Sequence, residues 1–245
     1  MLHLISIITV TKNCVSTIER TLKSIEAIKA PDIQYIIIDG KSTDGTLAMI
    51  EHYEHLVDHL ISEEDTGIYN AMNKGAVVAQ GKYILYINGD DYILADGFNK
   101  AKIILEKEIP DILCCQSEVF DLNGDKGSNL LPSLWRLYFF NSIPHLSTFI
   151  STELQKEYKF KENFRIAADY DLFLRMFLNR HRFVLSKLVT SVHYRGGFSG
   201  DVMQSLAEIR QIKKDNLSFV LYSIVRGIEL LNKSRKVVVT KFRNQ

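Results

Sequence analysis

The segment Ile5-Ser6-Ile7-Ile8-Thr9-Val10 is short, apolar and rich in β-branched residues, the pattern of a strand buried on both faces. Ser16-Thr17-Ile18-Glu19 follows, with Glu three residues after Ser. This spacing predicts a capping box that opens a helix with Ile18, Leu22 and Ile25 on one face. Further strands are predicted over residues 35–39, 57–61 and 83–87. Between the first two of these, Asp44 is placed to cap a helix carrying Leu47, Ile50 and Tyr53. Strand and helix alternating at this spacing predict an α/β fold, with a mostly parallel central sheet flanked by helices. The second half is less regular. It predicts a strand over 111–120, a turn at Asn123-Gly124, an aromatic-rich stretch over 134–140, a helix over 169–178 and an extended segment over 183–194. In that helix Leu172 and Met176, and Phe173 and Phe177, recur at four-residue spacing. The expected organisation is one domain over residues 1–209 followed by a helical C-terminal segment, 210–245.

In a parallel sheet of this kind, ligands sit beyond the carboxyl ends of the strands. Here those ends carry Thr9-Val10-Thr11-Lys12-Asn13, Asp39-Gly40-Lys41-Ser42-Thr43-Asp44-Gly45, Asp65-Thr66-Gly67-Ile68-Tyr69-Asn70 and Asn88-Gly89-Asp90-Asp91. Carboxylates converging on one crevice repel one another unless a cation or polar ligand lies between them. Carboxylates beside an Asn are hard oxygen donors, which suit Mg²⁺ or Mn²⁺ rather than zinc. Such ions commonly bind through one or two carboxylates together with substrate phosphates, so a phosphorylated substrate is expected. Taken singly, Asp44 and Asp65 also read as helix caps and Asp90-Asp91 as a turn.

Composition narrows the class. Of the 245 residues 46% are apolar and 24% charged, which excludes a disordered chain. The three cysteines, Cys14, Cys114 and Cys115, form neither a disulfide framework nor a zinc spacing, and a reducing cytoplasmic location is expected. The apolar run at residues 4–10 is far below the roughly 18 residues of a bilayer span and has no cleavage-site pattern, so no leader is expected. The net charge of +1 divides unevenly: residues 210–245 carry +7 and the rest −6. An acidic body does not read as a nucleic-acid binder. The basic tail also holds Phe219, Val220, Leu221, Ile224, Val225, Ile228, Leu230 and Leu231. Basic and apolar together fit a helix on an anionic membrane surface, and equally a helix packed on its own domain.

Taken in order and spacing, the four strand-end segments and Ala168-Asp169-Tyr170-Asp171 resemble a family 2 glycosyltransferase of the GT-A, Rossmann-like fold, over roughly residues 4–200. The segment Gly67-Ile68-Tyr69-Asn70-Ala71-Met72-Asn73-Lys74-Gly75 is similar to the branch that builds bacterial capsule, O-antigen and colanic-acid-type polymers. The resemblance implies an inverting, metal-dependent transferase. It implies a nucleotide-sugar donor, with uridine preferred, and a saccharide or lipid-linked saccharide acceptor. Thr9, Val10 and Thr11 would line the base and ribose, Asp39 would accept from the base, and Asp65 would sit beside base or ribose. Asn88-Gly89-Asp90 falls on the family's Asp-X-Asp, with Asp90 holding the metal, Asn88 a donor-side partner and Asp91 facing the donor sugar. Asp169 falls on the position of the catalytic base, and Asp171 remains an alternative two residues on. His193 and Arg195 would contact the metal or the diphosphate, although their Gly-rich segment also reads as a plain loop. His145 resembles an acceptor-site residue. Three departures stand out: Asn88 replaces an Asp, Gly40 stands where the family often has another Asp, and Ala168 replaces the Glu of the common Glu-Asp pair.

Other classes fit less well. A dinucleotide-dependent oxidoreductase needs a Gly-X-Gly-X-X-Gly after the first strand, and residues 11–16 contain no glycine. The Gly-rich, Arg-containing loop of sugar-nucleotide pyrophosphorylases is also missing there. A non-catalytic nucleotide-sugar-binding scaffold of the same pathway is the alternative that the losses at Asn88 and Ala168 favour.

Overall fold

The computed structural model describes residues 3–121, 124–194 and 201–243, with side chains to Leu231. Strands β1 (Ile5–Thr11), β2 (Ile33–Asp39), β3 (His59–Ser62) and β4 (Tyr83–Asn88) pair in parallel in the order β3-β2-β1-β4. All seven residues of β1 and of β2 are buried, as largely apolar strands covered on both faces require. Helices α1 (Ile18–Glu26), α2 (Thr46–Glu51) and α3 (Ile68–Val78) follow the first three strands. After β4 the sheet becomes mixed. A two-residue strand β5 (Tyr92–Ile93) leads into α4 (Ala95–Glu108), then β6 (Ile112–Phe120), β7 (Thr148–Ser151), α5 (Thr152–Tyr158), α6 (Ala168–Leu178) and β8 (Phe183–Tyr194). β7 runs antiparallel between β4 and β6, β8 lies parallel to β6, and β5 closes the eight-stranded sheet antiparallel to β8. The chain ends in α7 (Val202–Asn216) and α8 (Phe219–Arg243). The expected boundary at 209/210 falls inside α7.

Alternation along the strands splits the core in two. Ile5, Ile7, Tyr35, Ile37, Leu85 and Ile87 pack with Ile18, Leu22 and Ile25 of α1 and with Phe98, Ala101 and Leu105 of α4. Ile8, Val10, Ile36, Ile38, Ile84 and Tyr86 pack with Tyr69 and Met72 of α3, Leu172, Phe173 and Met176 of α6, Ile212 of α7 and Val225 of α8. The C-terminal helices therefore dock on the domain through one face. The other face of α8 leaves Phe219, Val220, Ile224, Ile228 and Leu231 exposed. No described helix is long and apolar enough to cross a membrane.

Local signals differ from expectation in two places. The Ser16–Glu19 capping box does not form. Thr17 takes the N-cap position of α1 and donates its hydroxyl to Gly89 O instead (2.9 Å), tying α1 to the loop after β4. Asp44 does accept Thr46 N (3.0 Å), but it also accepts Val15 N (3.1 Å), and α2 stops at Glu51, short of Tyr53. Gly97 marks a close crossing of α4 over β8, where a Cβ would lie 1.8 Å from Val189 O. Gly97→Ala should therefore cost about 1–3 kcal/mol or more by overpacking against backbone that cannot yield. Thermal unfolding checks this, and an unchanged midpoint would mean that α4 can lift off β8 freely.

Candidate active site

Strand register brings the predicted segments together. Thr11 pairs with Asp39, Asp39 with Ser62, and Val10 with Asn88, so the carboxyl ends of β1–β4 stop at one level. Above them opens a cavity of about 1130 Å³. One part of its wall is Val10, Thr11, Asp65, Asn88, Gly89 and Asp90; another comes from Asn141, His145, Arg165, Ile166 and Asp169, with His193 also on the wall.

Three of the expected donor-side residues stand behind this wall. Thr9 is buried in β1 and accepts from Tyr35 Oη (3.1 Å). Asp39 is fully buried and already saturated. Its Oδ1 accepts from Thr11 Oγ1 (3.0 Å) and Ser42 Oγ, and its Oδ2 from Ser42 N (2.9 Å) and Ser62 Oγ (2.8 Å). Burial, the largest single influence, would raise this carboxyl, but the bonds from Ser42, Ser62 and Thr11 outweigh it and hold it below the usual carboxylate range. Asp39 thus braces the loops after β1, β2 and β3. Asp91 is buried as well. It accepts from Asn88 Nδ2 (3.0 Å), His193 Nδ1 (3.2 Å) and Tyr194 N (3.1 Å), so it orients neighbours rather than facing the cavity.

Asp65 does reach the cavity. Its Oδ1 accepts from Gly67 N (3.0 Å), while Oδ2 sits where a side chain on Gly40 would begin, since a Cβ there would lie 2.3 Å away. Cys14 also lines the cavity, but burial, the largest influence, pushes its thiol up to about 11, so it is no nucleophile at neutral pH.

Asp90 has the opposite character to Asp39. Burial and then the adjacent Asp91 carboxylate raise its carboxyl above the usual range, with His193 and Arg20 only partly opposing. Its main chain is clamped: Arg20 Nη2 donates to Asp90 O (2.6 Å) and Thr21 Oγ1 to Asp91 O (2.6 Å). Asn88 Oδ1 is buried and has no hydrogen-bond partner. An under-compensated carboxylate beside an unpartnered amide oxygen is a hard-oxygen pair, which fits Mg²⁺ or Mn²⁺ completed by waters and phosphate oxygens. No cluster of three or more His, Cys, Asp or Glu stands ready for a metal among the described residues. His193 pairs with Asp91, and Arg195 lies outside the described residues.

On the acceptor side the geometry separates the two candidate carboxylates. Asp171 is fully buried and paired with Lys161 Nζ (3.0 Å) and Arg175 Nε (2.7 Å), with Asn216 Nδ2 at 3.0 Å. Asp169 lines the cavity. Its Oδ2 accepts from Asn141 Nδ2 (2.7 Å) and lies 3.5 Å from His145 Nδ1, and its Oδ1 accepts from Tyr170 N (2.7 Å). Asn141 and Arg165 escaped sequence reading because they sit in irregular segments with no periodicity to mark them.

Residues 6–178 match the family described as glycosyl transferase family 2. The chain belongs to that family. It is 30% identical over 209 residues, 81% of this chain and 80% of the relative, to a PGL/p-HBAD biosynthesis glycosyltransferase of Mycobacterium tuberculosis. It is 35% identical over 100 residues, 40% of each chain, to a teichuronic acid biosynthesis glycosyltransferase, TuaG, of Bacillus subtilis. Among solved structures, S. aureus TarS in complex with UDP superposes with a TM-score of 0.71 at 20% identity, covering 91% of this chain and 70% of that one. A mannosyltransferase from Pyrobaculum calidifontis, in complex with GDP-Man and Mn²⁺, gives 0.68 at 16% identity, covering 94% and 69%. The fold is the GT-A fold of this glycosyltransferase family, and the protein is a glycosyltransferase.

Asp39 supplies a test of the brace. Asp39→Asn keeps the shape but turns an N–H₂ toward groups that donate. It should lower stability at neutral pH by roughly 1–3 kcal/mol. Because the folded carboxyl is held below its ordinary 3.8, the stabilisation is present above that pH and is lost as pH falls through the lower folded value. The gap between wild type and variant in denaturant melts should therefore close under acid. A gap that persists unchanged all the way down the acid limb would show that shape, not charge, carries it.

Proposed function

We propose that this glycosyltransferase moves a sugar, with inversion, from a nucleoside-diphosphate sugar to a saccharide or lipid-linked saccharide in cell-surface polysaccharide assembly. A uridine donor is preferred. The observation that carries this reading is that Asp90 and Asp169 line one cavity while Asp171 is locked into ion pairs behind it. The relative named for teichuronic acid biosynthesis supports the polymer class, and the UDP-bound neighbour supports the donor class.

Val10, Thr11 and Asp65 lie along the nucleoside, with Thr9 and Asp39 holding those loops from beneath. Asp90, with Asn88, would hold Mg²⁺ or Mn²⁺, which neutralises charge on the departing diphosphate when bound. Asp91 fixes His193 and Asn88 around that corner. Arg195, beyond the described residues, is proposed as a further diphosphate contact. Asp169 accepts the proton of the attacking acceptor hydroxyl, and Asn141 keeps its Oδ2 aimed. With Asp169 as the acceptor-side carboxylate on the cavity wall and Asp171 paired behind it, direct displacement with inversion is the reaction this reading gives. The chain works in the cytoplasm and touches the membrane surface peripherally. Phe219, Val220, Ile224, Ile228 and Leu231 form the exposed apolar face of α8. Lys233, Arg235, Lys236, Lys241 and Arg243 follow with no acidic residue after Glu229.

Asp90→Ala should leave the fold intact and abolish the Mn²⁺-dependent part of thermal stabilisation by UDP. Ligand at about 100 times its dissociation constant adds roughly 2.7 kcal/mol, so the loss is readable in a melting scan. Unchanged metal dependence in the variant would remove Asp90 from the metal site.

Asp169→Asn should cut nucleotide-sugar turnover by about 10²–10⁴-fold with UDP affinity near wild type. Asp171→Asn should instead lower stability, because it leaves Lys161 and Arg175 without their counter-charge. A dead Asp171→Asn beside an active Asp169→Asn would reverse the assignment.

Binding to acidic-lipid vesicles at low salt should fall on Ile224→Glu combined with Leu231→Glu, and should weaken as salt rises. Wild-type protein that ignores such vesicles would leave α8 a purely structural helix.

A further inference from the structure

The approach to α6 is held by a side chain from far along the sequence. Glu208, on α7, receives three successive backbone N–H groups: Arg165 N on Oε1, and Ile166 N and Ala167 N on Oε2, each at 2.9 Å. Gln204 Nε2 also donates to Glu208 Oε1 (3.1 Å), which fixes the carboxylate on its own helix. The far side of the same short segment is pinned too, since Tyr69 Oη of α3 donates to Ile166 O (2.7 Å). Ala167, at the N-cap position of α6, has no side chain able to cap, so the clamp comes from α7 instead. A carboxylate suits that place, because it gathers several donors and favours a helix N-terminus.

The body of α6 does not need this clamp. Leu172, Phe173 and Met176 already seat it in the core. What the clamp fixes is residues 165–167, of which Arg165 and Ile166 line the cavity, and Asp169 follows two residues later. We infer that Glu208 is a positioning residue for Asp169, and that α7 is thereby a working part of the acceptor side of the active site. This rests on the reading of Asp169 as the base. A base displaced by about 1 Å can lose about 10²-fold in rate while the donor site is untouched.

The test uses the full chain with Glu208→Gln, which keeps size but turns an N–H₂ toward backbone donors, and Glu208→Ala. Hydrogen–deuterium exchange, the dissociation constant of UDP with Mn²⁺, and turnover of the nucleotide sugar that wild type consumes fastest are read together. Exchange at residues 165–167 should rise at least about tenfold. Turnover should fall by roughly 10- to 10²-fold, while UDP affinity stays within about twofold. Wild-type exchange at 165–167 overturns the clamp. Faster exchange with normal turnover, or a loss of turnover matched by a loss of UDP affinity, overturns the positioning role. If wild type and Asp169→Asn turn over donor equally, the base assignment fails instead. If wild type consumes no nucleotide sugar, the proposed function fails, and the exchange measurement still decides the clamp.

Discussion

The register of four parallel strands is the constraint on which the site depends. β1 and β2 are buried on both faces, and Ser6 Oγ donates to its register partner Gln34 Oε1 (2.6 Å), a buried bond that a one-residue slip would break. With that register held, Thr11, Asp39, Ser62 and Asn88 end side by side. The loops that leave this edge are then drawn together by Asp39, whose four accepted hydrogen bonds reach three of them. A buried carboxylate must be satisfied, and here its donors come from the last residues of β1 and β3 and from the loop after β2.

Three carboxylates show how the same chemical group is given different work by its surroundings. Asp39 is saturated by neutral donors, and Asp171 by Lys161 and Arg175. Both are structural. Asp90 is buried next to another carboxylate, and burial first and that neighbour second raise its proton affinity. A folded chain tolerates such a group where a ligand is to supply the missing charge. Asp169 stands between these cases, oriented by Asn141 and Tyr170 N while open to the cavity.

The first half of the fold was legible because strand runs and strand-end polar clusters are local patterns. Residues 33–39 and 83–88 are strands much as their apolar runs predict. α4 was not read, although Phe98, Ala101 and Leu105 carry its buried face, since it begins just after the two-residue strand β5 that follows the polar Asn88–Asp91 turn. Among site residues, Asp65, Asn88, Asp90, His193 and Asp169 reach the cavity, whereas Thr9, Asp39 and Asp91 stand behind it. Sequence position marks the end of a strand but not which way a loop turns its carboxylate. Asn141 and Glu208 were invisible for a related reason: each acts on α6 from 28 or about 40 residues away, through contacts that only the fold creates. The basic tail was open between a packed and a membrane-facing helix; α8 packs on the core through Val225 and leaves Phe219, Val220, Ile224, Ile228 and Leu231 exposed.

The central claim is a single acceptor-side carboxylate acting opposite a metal-held diphosphate, which permits only one displacement at the anomeric carbon. Proton NMR of the sugar first released from an α-linked UDP-sugar, recorded before mutarotation, tests it most directly. The account predicts the β anomer. Release of the α anomer would require two displacements, and so a second nucleophile that neither Asp169 nor the paired Asp171 provides.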